Sequence, residues 1–220
     1  MDQTRFNFSR SLQDMYQSIL RMGALVEEAL RKALTSVSTL DYKLAEQVIA
    51  DDSRIDTTQM EVEEACTKLI ATEQPVATNL REILVTIKIA SDLERIGDHA
   101  RHLARSLDTF AHDAFQELVP PMERMTQQGI GMLHDSLTAF VEQDPQKARE
   151  VAARDEEIDA MHRALYQKIV DVMKHQPDLI EDATRILFLN RFLERLGDHV
   201  TNVCEWIIYA KTSVHEELNE

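Results

Sequence analysis

Leu93-Glu94-Arg95-Ile96-Gly97-Asp98-His99 returns one hundred residues further on as Leu193-Glu194-Arg195-Leu196-Gly197-Asp198-His199. Six of the seven positions are identical, and the seventh exchanges Ile for Leu. A string repeated at this spacing constrains the fold to one architectural unit built twice along the chain. It is also chemically unusual, because a Glu and an Asp stand four residues apart with a glycine just before the Asp. Two of the chain's five glycines sit there. Inside a helix each glycine costs about 1 kcal/mol relative to alanine. The same penalty met twice at the same place points to a group that must approach the backbone closely.

Two units of roughly 100 residues fit a chain of 220, and the boundary is expected near Phe115, giving repeats 1–115 and 116–220. Five prolines, five glycines and 5% aromatics, with Leu, Ala, Glu and Met plentiful, point to an all-α protein. The formal net charge of −15 repels phosphate backbones and argues against nucleic-acid binding. Cys66 and Cys204 follow apolar helical patterning and read as buried free thiols. The start, Met1-Asp2-Gln3-Thr4-Arg5, lacks the apolar stretch of a signal peptide, and no uncharged apolar run approaches 18 residues. A cytoplasmic protein without membrane insertion is expected.

Apolar periodicity predicts six long helices. The first spans about 6–40, with Leu12, Met15, Ile19, Met22, Val26, Leu30 and Leu34 on one face. Asp41 caps the second, to about Glu73; Pro75 marks a turn, and the third runs from about Val76 to Asp113. Pro120-Pro121 punctuates the chain before a helix over about 122–142. Asp144-Pro145 starts the fifth, to about His175; Pro177 turns the chain, and Asp178 opens the last, to about Val214. Each half thus reads as a three-helix bundle with short connections. The second helix of each half could bend where charges crowd, as at Asp51-Asp52-Ser53-Arg54. Met15, Met22, Met60 and Met132 read as core filler.

Glu94 and Asp98 lie on one helix face, followed on the same stripe by His102; Glu194 and Asp198 are followed by Asn202. The preceding helices carry Asp52 with Asp56 and Asp155 with Asp159, again four apart. Asp56 is 19 residues before Pro75 and Glu94 is 19 after; Asp52 is 23 before and Asp98 is 23 after. Around Pro177, Asp159 and Glu194 stand 18 before and 17 after, and Asp155 and Asp198 stand 22 before and 21 after. A one-residue mismatch moves the height by about 1.5 Å, so each antiparallel pair brings four carboxylates to one level. Such groups repel unless protonated or shared by cations, and their hard oxygens suit Mg²⁺, Mn²⁺ or iron. One acidic metal site per half is the expectation. The competing reading is ordinary surface ion pairing with Arg54, Arg95 or Arg101. His99 and His199 point about 100° away from the neighbouring Asp and read as interhelical histidines rather than ligands.

With Asp52-Ser53-Arg54-Ile55-Asp56, Gln74-Pro75-Val76-Ala77 and Asp198-His199-Val200-Thr201-Asn202 added to the twin heptads, the chain resembles the PhoU family over almost its whole length. The resemblance implies two tandem three-helix bundles related by a pseudo-two-fold internal repeat. It also implies multinuclear metal clusters (iron, manganese, magnesium or zinc). Asp52, Asp56, Glu94, Asp98 and His102 would hold one, and Asp155, Asp159, Glu194, Asp198 and Asn202 the other. His102 stands where the family often has an asparagine-like residue. The implied role is negative regulation of phosphate uptake. A cytoplasmic adaptor would connect the phosphate ABC transporter ATPase to a membrane sensor histidine kinase, performing no catalysis, with homodimerisation left open. Two rivals are a metal-free helical scaffold for a basic partner and a di-iron carboxylate enzyme. The enzyme would draw on Glu-x-x-His motifs, which the sequence does not contain.

Overall fold

Asp41 accepts hydrogen bonds from the backbone N–H groups of Lys43 and Leu44, both at 3.1 Å, and Asp144 accepts from those of Gln146 and Lys147. Each aspartate satisfies amides that a helix start leaves open, and together they set the same phase in both halves. The computed structural model describes residues 2–111 and 113–218, and no strand occurs among them. The first bundle is α1 (Asp2–Thr39), α2 (Tyr42–Glu73) and α3 (Thr78–Arg105). A 3₁₀ turn (Leu107–Ala111) and the short α4 (Asp113–Gln116) lead to α5 (Val119–Glu142). The second bundle joins α5 to α6 (Pro145–Ala152), α7 (Asp155–His175) and, after a 3₁₀ turn at Pro177–Leu179, α8 (Ile180–Thr212).

Three boundaries differ from the sequence expectation. The third helix stops at Arg105 rather than near Asp113, because the chain tightens into a 3₁₀ turn that seals Leu107 and Phe110 into the core; His112 lies outside the described residues. The charged stretch 51–54 leaves α2 unbroken, and the interruption falls at its counterpart in the second half, between α6 and α7. There Arg154 turns to pair with Asp135 at 2.5 Å, and Asp155, Glu156 and Glu157 open a new helix with the acidic first turn that its dipole favours. The last helix begins at Ile180, after the 3₁₀ turn that contains Asp178.

Within each half the helices pack on one another, and α3–α8 and α1–α5 join the halves. Buried apolar side chains form one continuous cluster across both. Met15, Met22 and Met132 belong to it, whereas Met60 is 69% exposed and fills no core. Cys66 and Cys204 are buried free thiols, and burial pushes both up to about 12. No described helix is long and apolar enough to cross a membrane.

α3 and α8 run antiparallel, so Arg81 meets Tyr209 and Ala210, Asp92 meets His199 and Asn202, and His99 meets Phe192. The two copies of the heptad therefore cross near their centres. That crossing is the pseudo-two-fold axis of the molecule, and the carboxylate clusters lie on either side of it.

Candidate metal centre

In the second half, α7 presents Asp155 and Asp159 to Glu194 and Asp198 of α8. Burial, reinforced by the charges of Asp198, Asp159 and Glu194, pushes the Asp155 carboxyl up to about 7. Thr201 is near enough to oppose that shift, yet no hydrogen bond of normal geometry reaches Asp155 Oδ1. Glu194 and Asp198 are also raised by burial, with Asp159 adding to the shift and Arg191 opposing it. Arg191 contacts Glu194 Oε1, while the buried Glu194 Oε2 has no partner. Buried carboxylate oxygens are almost always paired, so the two orphaned ones in this group of four acids are donors that a hard cation could use.

Gly197 shows why the helix carries a glycine here. A Cβ at this position would lie 1.9 Å from Asp155 Oδ1 and 3.2 Å from Ile158 Cδ1. The missing side chain is the space the carboxylate occupies. At Gly97 the same test meets Ile55 Cδ1 at 2.9 Å, so in the first half the cleared space is filled by hydrocarbon.

The first cluster draws Asp52 and Asp56 from α2 and Glu94 and Asp98 from α3. Glu94 is raised by burial and then by the charges of Asp98, Asp56 and Asp52, with Arg95 pulling the other way. Asp52, 8% exposed, is raised by burial, with Arg101 opposing. Arg101 contacts Asp52 Oδ2 through Nη1 and Asp98 Oδ1 at 2.5 Å through Nη2, and Arg95 lies 3.4 Å from both Glu94 and Asp98. Sequence reasoning had these arginines as a competing surface explanation. The structure puts Arg101 into the cluster, where it ties α2 to α3. The available signal was the mismatch in the repeat, where Arg101 stands opposite Thr201.

His102 and Asn202 turn toward the α3–α8 seam. His102 stacks on Phe192 with centroids 4.7 Å apart, and Asn202 Nδ2 donates to Asp92 Oδ1 at 3.4 Å. Asp92 and Phe192 were not singled out by the sequence. Among the described residues, no three His, Cys, Asp or Glu side chains stand as a ready-made cage around one ion. The donor chemistry nevertheless suits a hard cation, and the second cluster has the unpaired oxygens to receive one.

A duplicated three-helix bundle with a partly buried acidic quartet in each copy, meeting across a pseudo-two-fold axis, defines a class of tandem-repeat helical proteins. Residues 19–107 and 122–207 each match the PhoU domain. The chain belongs to the PhoU family. It is 35% identical to a phosphate-specific transport system accessory protein PhoU homolog of Clostridium acetobutylicum, over 99% of this chain and all of that one. It is 34% identical to the phosphate-specific transport system accessory protein PhoU of Serratia marcescens, over 92% of this chain and 83% of the relative. The crystal structure of the phosphate transport system regulatory protein PhoU from Streptococcus pneumoniae superposes with a TM-score of 0.88 at 32% identity, covering 96% and 99% of the two chains. PhoU from Pseudomonas aeruginosa gives 0.88 at 31%, covering 94% and 100%.

Proposed function

We propose that this protein is a cytoplasmic negative regulator of phosphate uptake and of the phosphate-starvation response. It works as a metal-binding adaptor between a phosphate ABC transporter ATPase and a membrane sensor histidine kinase. The observation that carries the reading is end-to-end similarity to a phosphate-specific transport accessory protein. A net charge of −15 leaves long acidic helix faces suited to basic partner surfaces. No catalytic turnover is part of the proposal.

A divalent or trivalent ion would neutralise the gathered carboxylates and cross-link the two helices that carry them. Asp155 and Asp159 would hold it from α7, and Glu194 and Asp198 from α8. Gly197 gives Asp155 its place against α8, and Arg191 keeps one oxygen of Glu194 oriented while the other stays open. These residues thereby fix the angle between α7 and α8 and so the surface offered to partners. In the first half, Asp52, Asp56, Glu94 and Asp98 are the corresponding carboxylates.

The test is complementation of cells lacking the protein, grown in ample phosphate. The Glu194→Gln/Asp198→Asn variant is expected to bind less metal and to release repression of phosphate uptake. Full repression by a variant that has lost its metal would leave the regulatory role standing without the metal. Unrepressed uptake in cells carrying the unaltered protein would overturn the regulatory role itself.

A further inference from the structure

The internal repeat supplies a control for each half of the molecule, and the two quartets differ at one decisive position. Asp52 corresponds to Asp155, Asp98 to Asp198 and Arg101 to Thr201. In the first half a single guanidinium spans both helices, contacting Asp52 on α2 and Asp98 on α3. Its side chain is 24% exposed and theirs are 10% and 18%, so this is a half-sealed bridge rather than a rim contact. Arginine is always charged, and its planar fork matches two carboxylates at once. It occupies the space between the helices that a shared cation would need.

The second half lacks that bridge. Thr201 is neutral and stands beside Asp155 without a hydrogen bond of normal geometry, no basic side chain pairs with Asp155 among the described residues, and Asp155 Oδ1 and Glu194 Oε2 are buried without hydrogen bonds. The arginine that reaches this quartet, Arg191, pairs with Glu194 from three residues away on the same helix and is 56% exposed. It corresponds to Ser91 in the first half. It sits on the rim and does not bridge α7 to α8.

Building on the metal-binding reading above, we propose that Arg101 is an internal counter-ion that closes the first quartet to metal, so that this chain carries its ion in the second half. The two halves are then specialised. One angle between helices is fixed by a permanent protein cation, and the other is set by whether an ion is bound. Only the second half responds to metal supply.

Mn²⁺ titration followed by electron paramagnetic resonance tests this on the full-length chain. Glu194→Gln/Asp198→Asn should lower Mn²⁺ affinity by about a hundredfold or more, whereas Glu94→Gln/Asp98→Asn should leave it within about twofold. Arg101→Thr should add a first-half site at least about tenfold tighter than any weak binding there in the parent chain. That added site should vanish again when Glu94 and Asp98 are also amidated. Arg101→Gln keeps a hydrogen-bonding side chain and reads the same outcome if the threonine variant does not fold. Equal losses from the two amide pairs, or no added ion on removing Arg101, would overturn the specialisation while leaving metal binding intact. No Mn²⁺ in any variant would overturn the metal reading, and this proposal with it.

Discussion

His199 Nδ1 lies 2.9 Å from Asp92 Oδ1, and the residue in the equivalent relation to His99 is Phe192, whose ring stacks on it at 5.3 Å. Two histidines from one repeated motif therefore meet opposite chemistry across a single axis. One has a carboxylate partner. The other is 8% exposed with neither ring nitrogen hydrogen-bonded, and its ring centroid is 5.6 Å from that of His199.

Burial above all, with the neighbouring charges of His199, Arg195, His102 and Arg95, lowers His99 to about 3. In the unfolded chain the same side chain titrates near its ordinary 6.5. Below that value the unfolded state takes a proton that the folded state refuses, so stability falls as pH drops from about 6.5 toward 3. A His99→Phe variant removes the group from this balance while keeping an aromatic ring on Phe192. Urea unfolding at about pH 7.5 and about pH 4.5 should show the acid loss reduced by an amount on the order of a few kcal/mol. An unchanged difference between the two pH values would show that His99 is not held neutral.

Asp92 accepts from Asn202 as well as contacting His199. Truncating it to alanine removes the carboxylate that both His199 and Asn202 of α8 contact, with an expected destabilisation of about 1–3 kcal/mol. Replacing it by phenylalanine makes the seam resemble its other half, with an aromatic ring against each histidine, and should recover part of that loss. Denaturant midpoints of the two variants decide the matter. A cost below about 0.5 kcal/mol for Asp92→Ala would mean that water satisfies His199 and Asn202.

Much of this arrangement could be read before any coordinates. Asp41 and Asp144 are caps that act within three residues, so local sequence suffices to find them. Counting from Pro75 and Pro177 put the carboxylates at one height because antiparallel helices share a rise per residue. The glycine in each heptad signalled a close approach. What approaches it, Ile55 in one half and Asp155 in the other, depends on how α2 and α7 are rotated, and periodicity fixes that only coarsely. Arg101 was visible as an alternative ion-pair partner, but whether it lies on the rim or between helices is a matter of side-chain direction. A bend was expected in the second helix of both halves where charges crowd; only the second half has one, at Ala153-Arg154, beside a pairing with Asp135 on another helix that no local window contains.

The two heptad glycines should respond differently to alanine. At Gly97 the new methyl meets the flexible end of Ile55, and a gain of about 1 kcal/mol in helix propensity offsets the crowding. A net change within about 1 kcal/mol is expected. At Gly197 the methyl falls on the Asp155 carboxylate, so Gly197→Ala should destabilise by about 1–3 kcal/mol. Adding Asp155→Ala removes the obstacle and should restore stability. Thermal unfolding across the double-mutant cycle would show coupling above about 1 kcal/mol; additive effects would separate the glycine from the carboxylate.

Metal and proton compete for the same oxygens in the second quartet. With Asp155 raised from 3.8 to about 7, the metal-free folded state holds a proton there that the unfolded chain has released. Its contribution to stability is thus present at low pH and is lost as pH rises through about 7. A bound cation reverses this trend, because it takes up the charge that ionisation creates. Mn²⁺ affinity should therefore rise with pH up to about 7, by about tenfold per unit for each proton displaced, and flatten above it as far as Asp155 is concerned. Glu194 and Asp198, both raised by burial, add to the rise of affinity with pH. Titrations at about pH 5.5, 6.5 and 8, with thermal unfolding in chelator alongside, read both signs. Asp155→Asn should flatten the stability trend in chelator and weaken Mn²⁺ binding at every pH. A metal affinity that does not change over this range would mean that the ion avoids the Asp155 oxygens.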